Sequence, residues 1–501
     1  MNPLAEWNPL SALPRPSNAL NVPALDDSSD SDAGSDTDSD TDDDTNLVLK
    51  KIWIRLLSKA LKPPESAPVE EETPAEKRKR NGWQQGGWKK RCKLPYTTSM
   101  FYTDYHNVNV QDPTHRDGKE FRLNYRMPYS EAKKLVDLFI VRRWLPHNNK
   151  NVTGRSYCPA EIKILGTLYW LGEGCSFRTI YNVSGRVYSA VSFQSFAKKF
   201  CHLVAKHLGP RYIKMPKNVR ELQEISKSYS ELGFPGAVGS TDGVQIAWEG
   251  CPYAHRTSFT GKEGYPTLGF NVTVDHNSRI INICSVFAGR FNDKTKIRYD
   301  SYVQRLRSGF YAGFSYDVLD EHGVRTSCDT PYVICDNGYH RWKQMMAPYK
   351  VTSKPFLALW SKHLESVRKD VEKTFGCMKK RFRILKVPIL FRDVSFVNDI
   401  FVTCAVIHNK LLDFDAHMQR RFAMFSMGVS SRLPTHMRRI VLVNNVRRLL
   451  QATDDYSYVD IDSDIEIQLD EEFEPQRQQL ARHIWYLYVN RLLKYTVRKY
   501  K

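Results

Sequence analysis

The sequence predicts an α/β domain at 231–415, behind a helical region at 100–230 and an N-terminal region at 1–99 that is acidic and disordered at its start. Three observations predict it. Between 235 and 290 lie three consecutive β-rich runs broken by turn residues, stretches with helical periodicity stand before and after them, and the first 45 residues have the composition of chain that does not fold. Residues 416–501 form a tail ending in a basic amphipathic stretch.

Taken in order, residues 26–44 hold ten Asp and no Lys or Arg, so they bury too little apolar surface to offset the entropy of ordering. A helix-period segment, LVLKKIWIRLLSKALK, follows at 47–62, before a Pro- and Glu-rich linker. Pro128 precedes YSEAKKLVDLFIVRRWL, and Pro159 precedes AEIKILGTLYWLGEG, each a proline at a helix start. CSFRTIYNVSG and RVYSAVSFQSFAKKFCHLVAKHL then give a short helix, a turn ending in Gly185 and a longer helix. That is helix-turn-helix spacing, and it would direct Arg186, Tyr188, Ser189 and Ser192 at the major groove. A plain helical bundle packed beside the next domain shares this punctuation.

The three β-rich runs are FPGAVGSTDGVQIAW, TLGFNVTVDH and RIINICSVFAG, with Asn277-Ser278 as a tight hairpin between the last two. A helix over TKIRYDSYVQRLRSGF, a short strand YVIC, a long helix at about 359–384 and an apolar helix at 394–414 complete the domain. Three antiparallel strands, a helix, a strand and a helix is the order of a ribonuclease-H-like (retroviral-integrase-type) domain, an assignment that leans on where the carboxylates fall. The last segment, ARHIWYLYVNRLLKYTVRKYK, suits DNA, a partner helix or the body of the protein equally well.

Charge narrows the partner. The formal net charge is +19, and setting aside the ten Asp of 26–44 raises the remainder to +29. A surplus of that size points to a polyanion. The ten Cys form no CxxC pair, and several, such as Cys284, Cys335 and Cys404, sit in apolar runs, the usage of reduced buried thiols. Cys251-Pro-Tyr-Ala-His255 lacks a second half for a zinc site. No signal-peptide pattern and no run of about 18 apolar residues is present, so no membrane is expected. Lys77-Arg78-Lys79-Arg80 and Lys89-Lys90-Arg91 favour the nucleus.

The chemistry is carried by acids on separate elements. Asp242 interrupts an apolar alternation and precedes Gly243, which lets a metal or phosphate approach the backbone. Asp336 directly follows the strand YVIC, where α/β sheets place functional groups. Glu372 flanks the apolar stripe Leu364, Val367, Val371, Phe375 and Met378, with Arg368 one turn earlier. Each Asp alone also fits an ordinary turn, and Glu365 and Asp370 compete with Glu372. Jointly, the spacing suits a trio that holds two hard divalent ions for in-line attack on a phosphodiester. Arg256 and Lys262, after the first strand, and Lys379, Lys380, Arg381 and Arg383, ending the long helix, suit backbone contacts; the latter group equally complements a helix dipole.

The stretch 236–414 resembles the PIF/Harbinger transposases, a superfamily of DDE endonucleases that also gave rise to domesticated nuclease-like nuclear proteins. The matching pieces are STDGVQIAW, GFNVTVDH, NDKT at 292–295, VICDNGYH, VEKTFGCMKKRFRIL and CAVIHNKLL. The resemblance implies that Asp242, Asp336 and Glu372 are metal-binding catalytic acids using two Mg2+ or Mn2+ ions. It implies a nuclear enzyme that nicks and joins double-stranded DNA at transposon ends and in target DNA, with a Myb-like partner protein; a homodimer is compatible with it. Gln245 replaces a His common in the family, and Gly289-Arg290-Phe291 replaces its Pro-Gly-Ser. Asp275 reads as a hairpin residue and Asp293 as a second carboxylate layer behind the trio. The competing function is a domesticated, catalytically silent DNA-binding protein or chromatin adaptor.

Overall fold

The computed structural model describes residues 95–145, 158–429 and 469–493. The acidic tract, the helix expected at 47–62, both basic clusters before residue 92, Arg438-Arg439, Arg447-Arg448 and most of the acidic stretch 454–474 lie outside the described residues.

The helical region runs α1 (Met100–His106), α2 (Arg116–Tyr125), α3 (Tyr129–Val141), α4 (Ala160–Glu173), α5 (Phe177–Val183), α6 (Ala190–Tyr212) and α7 (Val219–Ser230). Local chemistry sets its boundaries. Pro128 and Pro159 take the cap positions of α3 and α4, and Gly174 closes α4 in the left-handed conformation. Ser176, Ser189 and Asn218 cap α5, α6 and α7 by accepting from the backbone N–H of Thr179, Ser192 and Glu221.

Then follow β1 (Ala237–Ala247), the short α8 (Arg256–Phe259), β2 (Thr267–Val274), β3 (Ile280–Ile283), β4 (Phe287–Ala288), α9 (Asp293–Ile297), α10 (Ser301–Arg307), β5 (Tyr316–Leu319), β6 (Arg325–Cys328), β7 (Tyr332–Ile334) and β8 (Met345–Met346). The chain ends in α11 (Pro355–Arg381), α12 (Val394–Val429) and α13 (Phe473–Val489). One sheet has the order β3-β2-β1-β7-β8, with β4 also on β2, and β5 pairs β6 separately. β1–β2 and β2–β3 are antiparallel; β1–β7 and β7–β8 are parallel. The fold is therefore α/β with a mixed sheet.

Helices cover both faces. One core joins the helical region, α12 and the face of the sheet carrying Val244, Ile246, Leu268, Phe270 and Val272. Phe270 stacks on Phe401 of α12 at 4.1 Å, and truncating such a buried ring costs about 3–5 kcal/mol. The second core gathers Tyr302, Tyr332, Trp342, Trp360 and Leu364 with Phe473 and Ile484 of α13. So the C-terminal helix, for which three roles were open, packs on the body of the protein. The helical region and the sheet share a core across residue 230. Asn409 of CAVIHNKLL covers the edge of the sheet, donating to Ile280 O (2.7 Å) and Tyr212 O (2.8 Å) and accepting from Ile280 N–H (3.0 Å). Among the described residues no helix is long and apolar enough to cross a membrane.

Three expectations are corrected. RIINICSVFAG forms two strands, because the backbone leaves β2 after Cys284 before returning as β4. The helix over TKIRYDSYVQRLRSGF is two helices, because Asp300 stops one and caps the next, accepting from Tyr302 and Val303 N–H. The hairpin β5–β6 precedes YVIC and the two-residue β8 follows it, where the sequence predicts no strands.

Candidate active site

β1 and β7 pair in parallel at Ala237↔Tyr332 and Ser240↔Ile334, and the pairing stops there. Asp242 and Asp336 each stand two residues further on. Equal register in parallel strands brings equivalent positions side by side, so the two carboxylates emerge together where the strands part. Asp242 lies inside β1 and is not a turn residue; its partner across β2 is Val272.

The surroundings are desolvated and short of positive charge. Burial, then the neighbouring Asp336 carboxylate, pushes Asp242 up to about 7, against the pull of Arg368. Burial, then Asp293, raises Asp336, while Gly338 N–H donates to it at 2.7 Å and Arg368 and Lys262 oppose the rise. Asp293, at the start of α9, takes an ion pair from the buried Lys296 (2.7 Å). A Cβ on Gly243 would come within 2.7 Å of the Asp293 carboxylate, so a larger residue there would displace that side chain.

Arg368 is the hinge of the site. Its side chain is 18% exposed, and the guanidinium donates to Asp242 Oδ2 at 3.2 Å and to Glu372 Oε1 at 2.6 Å. Glu372 is itself 45% exposed and reaches the strand acids through that arginine. Asp370 turns away, holding His276 at 2.7 Å, and Glu365 is exposed. Among the described residues no three His, Cys, Asp or Glu side chains are gathered to hold one ion. The donors at the site are nonetheless all carboxylates, the chemistry a hard divalent cation prefers.

Sequence reading missed a buried polar network behind the acids. Asn271 on β2 donates to Thr241 Oγ1 (3.0 Å) and to Asp300 Oδ2 (2.9 Å), and accepts from the Tyr339 hydroxyl (2.8 Å). Asp300 is fully buried and also accepts from Asn282 (2.9 Å). Thr241 precedes Asp242 and Tyr339 follows Asp336 by three residues, so this network ties both acid-bearing segments to β2. The Asp-Ser-Tyr start of α10 was a legible cap signal; its second role across the sheet was not.

The remaining DNA-binding expectations divide. Lys262 lies in the field of Asp336, and Arg256 is paired with Glu249 at 3.3 Å. Lys379 is half-buried and donates to Gln245 O at 3.5 Å, whereas Lys380 and Arg383 are exposed. In the helical region Arg186 is exposed in a turn at φ 60°. Ser189 and Ser192 are bonded to each other in the α6 cap (2.8 Å). The Tyr188 ring packs on Phe193 (4.9 Å) and under Lys163, and burial pushes its hydroxyl up to about 12. Asp275 is the hairpin residue expected, accepting from Asn277 and Arg279 N–H, both at 2.8 Å.

Residues 210–419 match the sequence profile of a family described as plant transposon protein, a range that contains the whole β1–β8 region and all three acids. That stretch of the chain is similar to plant transposon proteins. No curated protein and no solved structure matches the chain.

Proposed function

We propose that this protein is a divalent-metal-dependent DNA endonuclease of the DDE transposase type, built on a ribonuclease-H-like domain and acting in the nucleus on double-stranded DNA at transposon ends. The observation that carries the proposal is the parallel register that sets Asp242 beside Asp336, both raised by burial and by a neighbouring carboxylate, Asp336 for Asp242 and Asp293 for Asp336. Two desolvated carboxylates facing each other are costly unless a cation joins them. The sheet order β3-β2-β1-β7-β8, antiparallel then parallel about β1, supports the ribonuclease-H-like reading, and the resemblance of STDGVQIAW, VICDNGYH and VEKTFGCMKKRFRIL to PIF/Harbinger sequences supports the subtype.

On this reading Asp242, Asp336 and Glu372 hold Mg2+ or Mn2+, with Asp293 as a neighbouring carboxylate kept in place by Lys296. A bound pair of such ions supplies an acidified water or 3′-hydroxyl and counter-charge for the leaving oxygen. The protein's own groups do the rest. Lys262 offers positive charge beside Asp336. Arg368 must release Asp242 or Glu372 for the acids to converge, and its freed guanidinium then faces the phosphodiester.

The adaptor reading has one observation in its favour: Glu372 is engaged by Arg368 and no three ligands are gathered among the described residues. Nicking of supercoiled plasmid in Mg2+ or Mn2+ decides. The enzyme reading expects nicking by the natural chain and none by Asp242→Asn. Equally absent nicking by both, with DNA binding retained, establishes the adaptor.

A further inference from the structure

A cleft of about 640 Å3 opens between α2 with the turn before it and the C-terminal end of α11. Lys119, Arg122 and Arg126 line it from one side, Lys380 and Arg381 from the other, and no acidic residue lines it. Two of the cations are matched from outside the lining: Arg122 holds Asp415 in a two-pronged contact (2.8 and 3.0 Å), and Arg126 pairs with Glu173. Lys119 and Lys380 are exposed and have no ion pair among the described residues. Arg381 is half-buried; its described partner is the imidazole of His408 (3.4 Å), a neutral acceptor at physiological pH. Burial disfavours the Arg381 cation, and Asp415, already held by Arg122, is the carboxylate that offsets this. Five cations thus face two carboxylates. The walls add exposed apolar surface at Leu123.

We propose that this cleft binds the phosphodiester backbone of a DNA strand flanking the acid cluster; the proposal rests on the nuclease reading above. A surplus of unpaired cations on a partly apolar wall fits a nucleic-acid strand, whose phosphates take the ammonium groups while its sugars and bases cover the aliphatic surface. The volume is that of a small-ligand cleft, sized for one strand and not a duplex. Lys380 lies eight residues beyond Glu372 on the same helix, about 12 Å along its axis, the rise of three to four phosphates of B-form DNA. One strand can therefore leave the acids and enter the cleft around α11.

The test uses the full chain in EDTA, so that binding is read apart from cleavage, with a fluorescein-labelled duplex carrying a single-stranded overhang. Lys119→Ala/Lys380→Ala removes two exposed, unpaired cations. Its affinity by anisotropy falls about tenfold near 0.1 M salt, and the slope of log affinity against log salt becomes shallower by about two. A charge-matched control, Lys133→Ala/Lys362→Ala, alters exposed lysines that do not line the cleft and leaves the slope near that of the natural chain. Cys377, an exposed cysteine in the lining, gives an independent readout: DNA slows its alkylation by iodoacetamide several-fold in the natural chain and not in the double variant. DNA bound with unchanged affinity and slope and an unprotected Cys377 overturns the cleft and leaves the nuclease reading standing. Equal losses in both double variants also overturn it, since the effect is then diffuse charge. A natural chain that binds no DNA removes both.

Discussion

Asp242 and Asp336 stand two residues past the last pair between β1 and β7, whereas Glu372 projects from an exposed flank of α11 and reaches them only through Arg368. Backbone register fixes the first pair whether or not a cation is present, and the Asn271 network braces it from behind. The third acid is held by a side-chain contact that one rotamer change undoes. The rigid half of the site carries the electrostatic stress; the half-exposed Glu372 keeps water around it. A site divided in this way is stable in one part and adjustable in the other, which is what loading a cation into a preformed acid pair requires.

Activity should not respect that division. If all three acids ligate the metal, Asp242→Asn and Glu372→Gln each lower the nicking rate on the order of 10^3-fold, because groups acting as one unit fail together. A Glu372→Gln variant that nicks at the natural rate, beside a dead Asp293→Asn, would transfer the third place to Asp293 and break the comparison outright.

Stability should respect it. The folded-state pKa of Asp242, about 7, lies above its ordinary value of 3.8, so between those limits the folded chain keeps a proton that the unfolded chain has lost. Stability therefore falls as pH rises through that window and levels off above it. Asp242→Asn lacks the fall, and at pH 8 in chelator it should be more stable than the natural chain by about 2–4 kcal/mol, less whatever the lost Arg368 contact contributed. Adding Mg2+ should raise the Tm of the natural chain and not that of the variant. Glu372→Gln should stay within about 0.5 kcal/mol of the natural chain, as surface changes do. A Glu372→Gln protein stabilised as much as Asp242→Asn would mean that the helix acid shares the strain.

The network gives a smaller, structural effect. Tyr339→Phe leaves Asn271 Oδ1 without a donor in a buried place and should cost about 1–3 kcal/mol by denaturant unfolding. The loss should be the same with Asp242 natural or replaced by Asn if the brace acts on the backbone. Strong coupling between the two changes would show that the network acts on the carboxylate charge.

Legibility followed the same divide. β1, β2 and β7 were readable because each is a β-branched run with turn residues beyond it, and the acids could be placed within β1 and after β7. The β5–β6 hairpin was not, because β6, Arg-Thr-Ser-Cys, is largely exposed and has no apolar face to give period-2 alternation. β4 and β8 are two residues each, too short for any pattern. The Glu372 stripe on α11 was legible, with Leu364, Val367, Val371 and Met378 buried, but the arginine bridge from Arg368 to Asp242 joins residues 126 apart, and periodicity within one helix does not reach that far. The second role of Asp300 was hidden for a related reason: the carboxylate is retained by Asn271 and Asn282, on strands before it in sequence.

The smallest effect is expected in the helical region, and it bears on how DNA would be read there. Of the four residues assigned to the groove, Ser189 and Ser192 are spent on the α6 cap and Tyr188 on packing, which leaves the exposed Arg186 without such a role. Deleting 159–205 would not test it, because that segment supplies Ile162, Leu165, Phe193 and Phe200 to the shared core. Arg186→Ala keeps the core, although its left-handed φ adds some strain for any residue but glycine. If the turn only grazes phosphates, affinity for end and random duplexes falls together by a few-fold and the salt slope drops by about one. A loss confined to end sequences would instead make Arg186 a base-reading residue and restore the helix-turn-helix assignment from a single side chain.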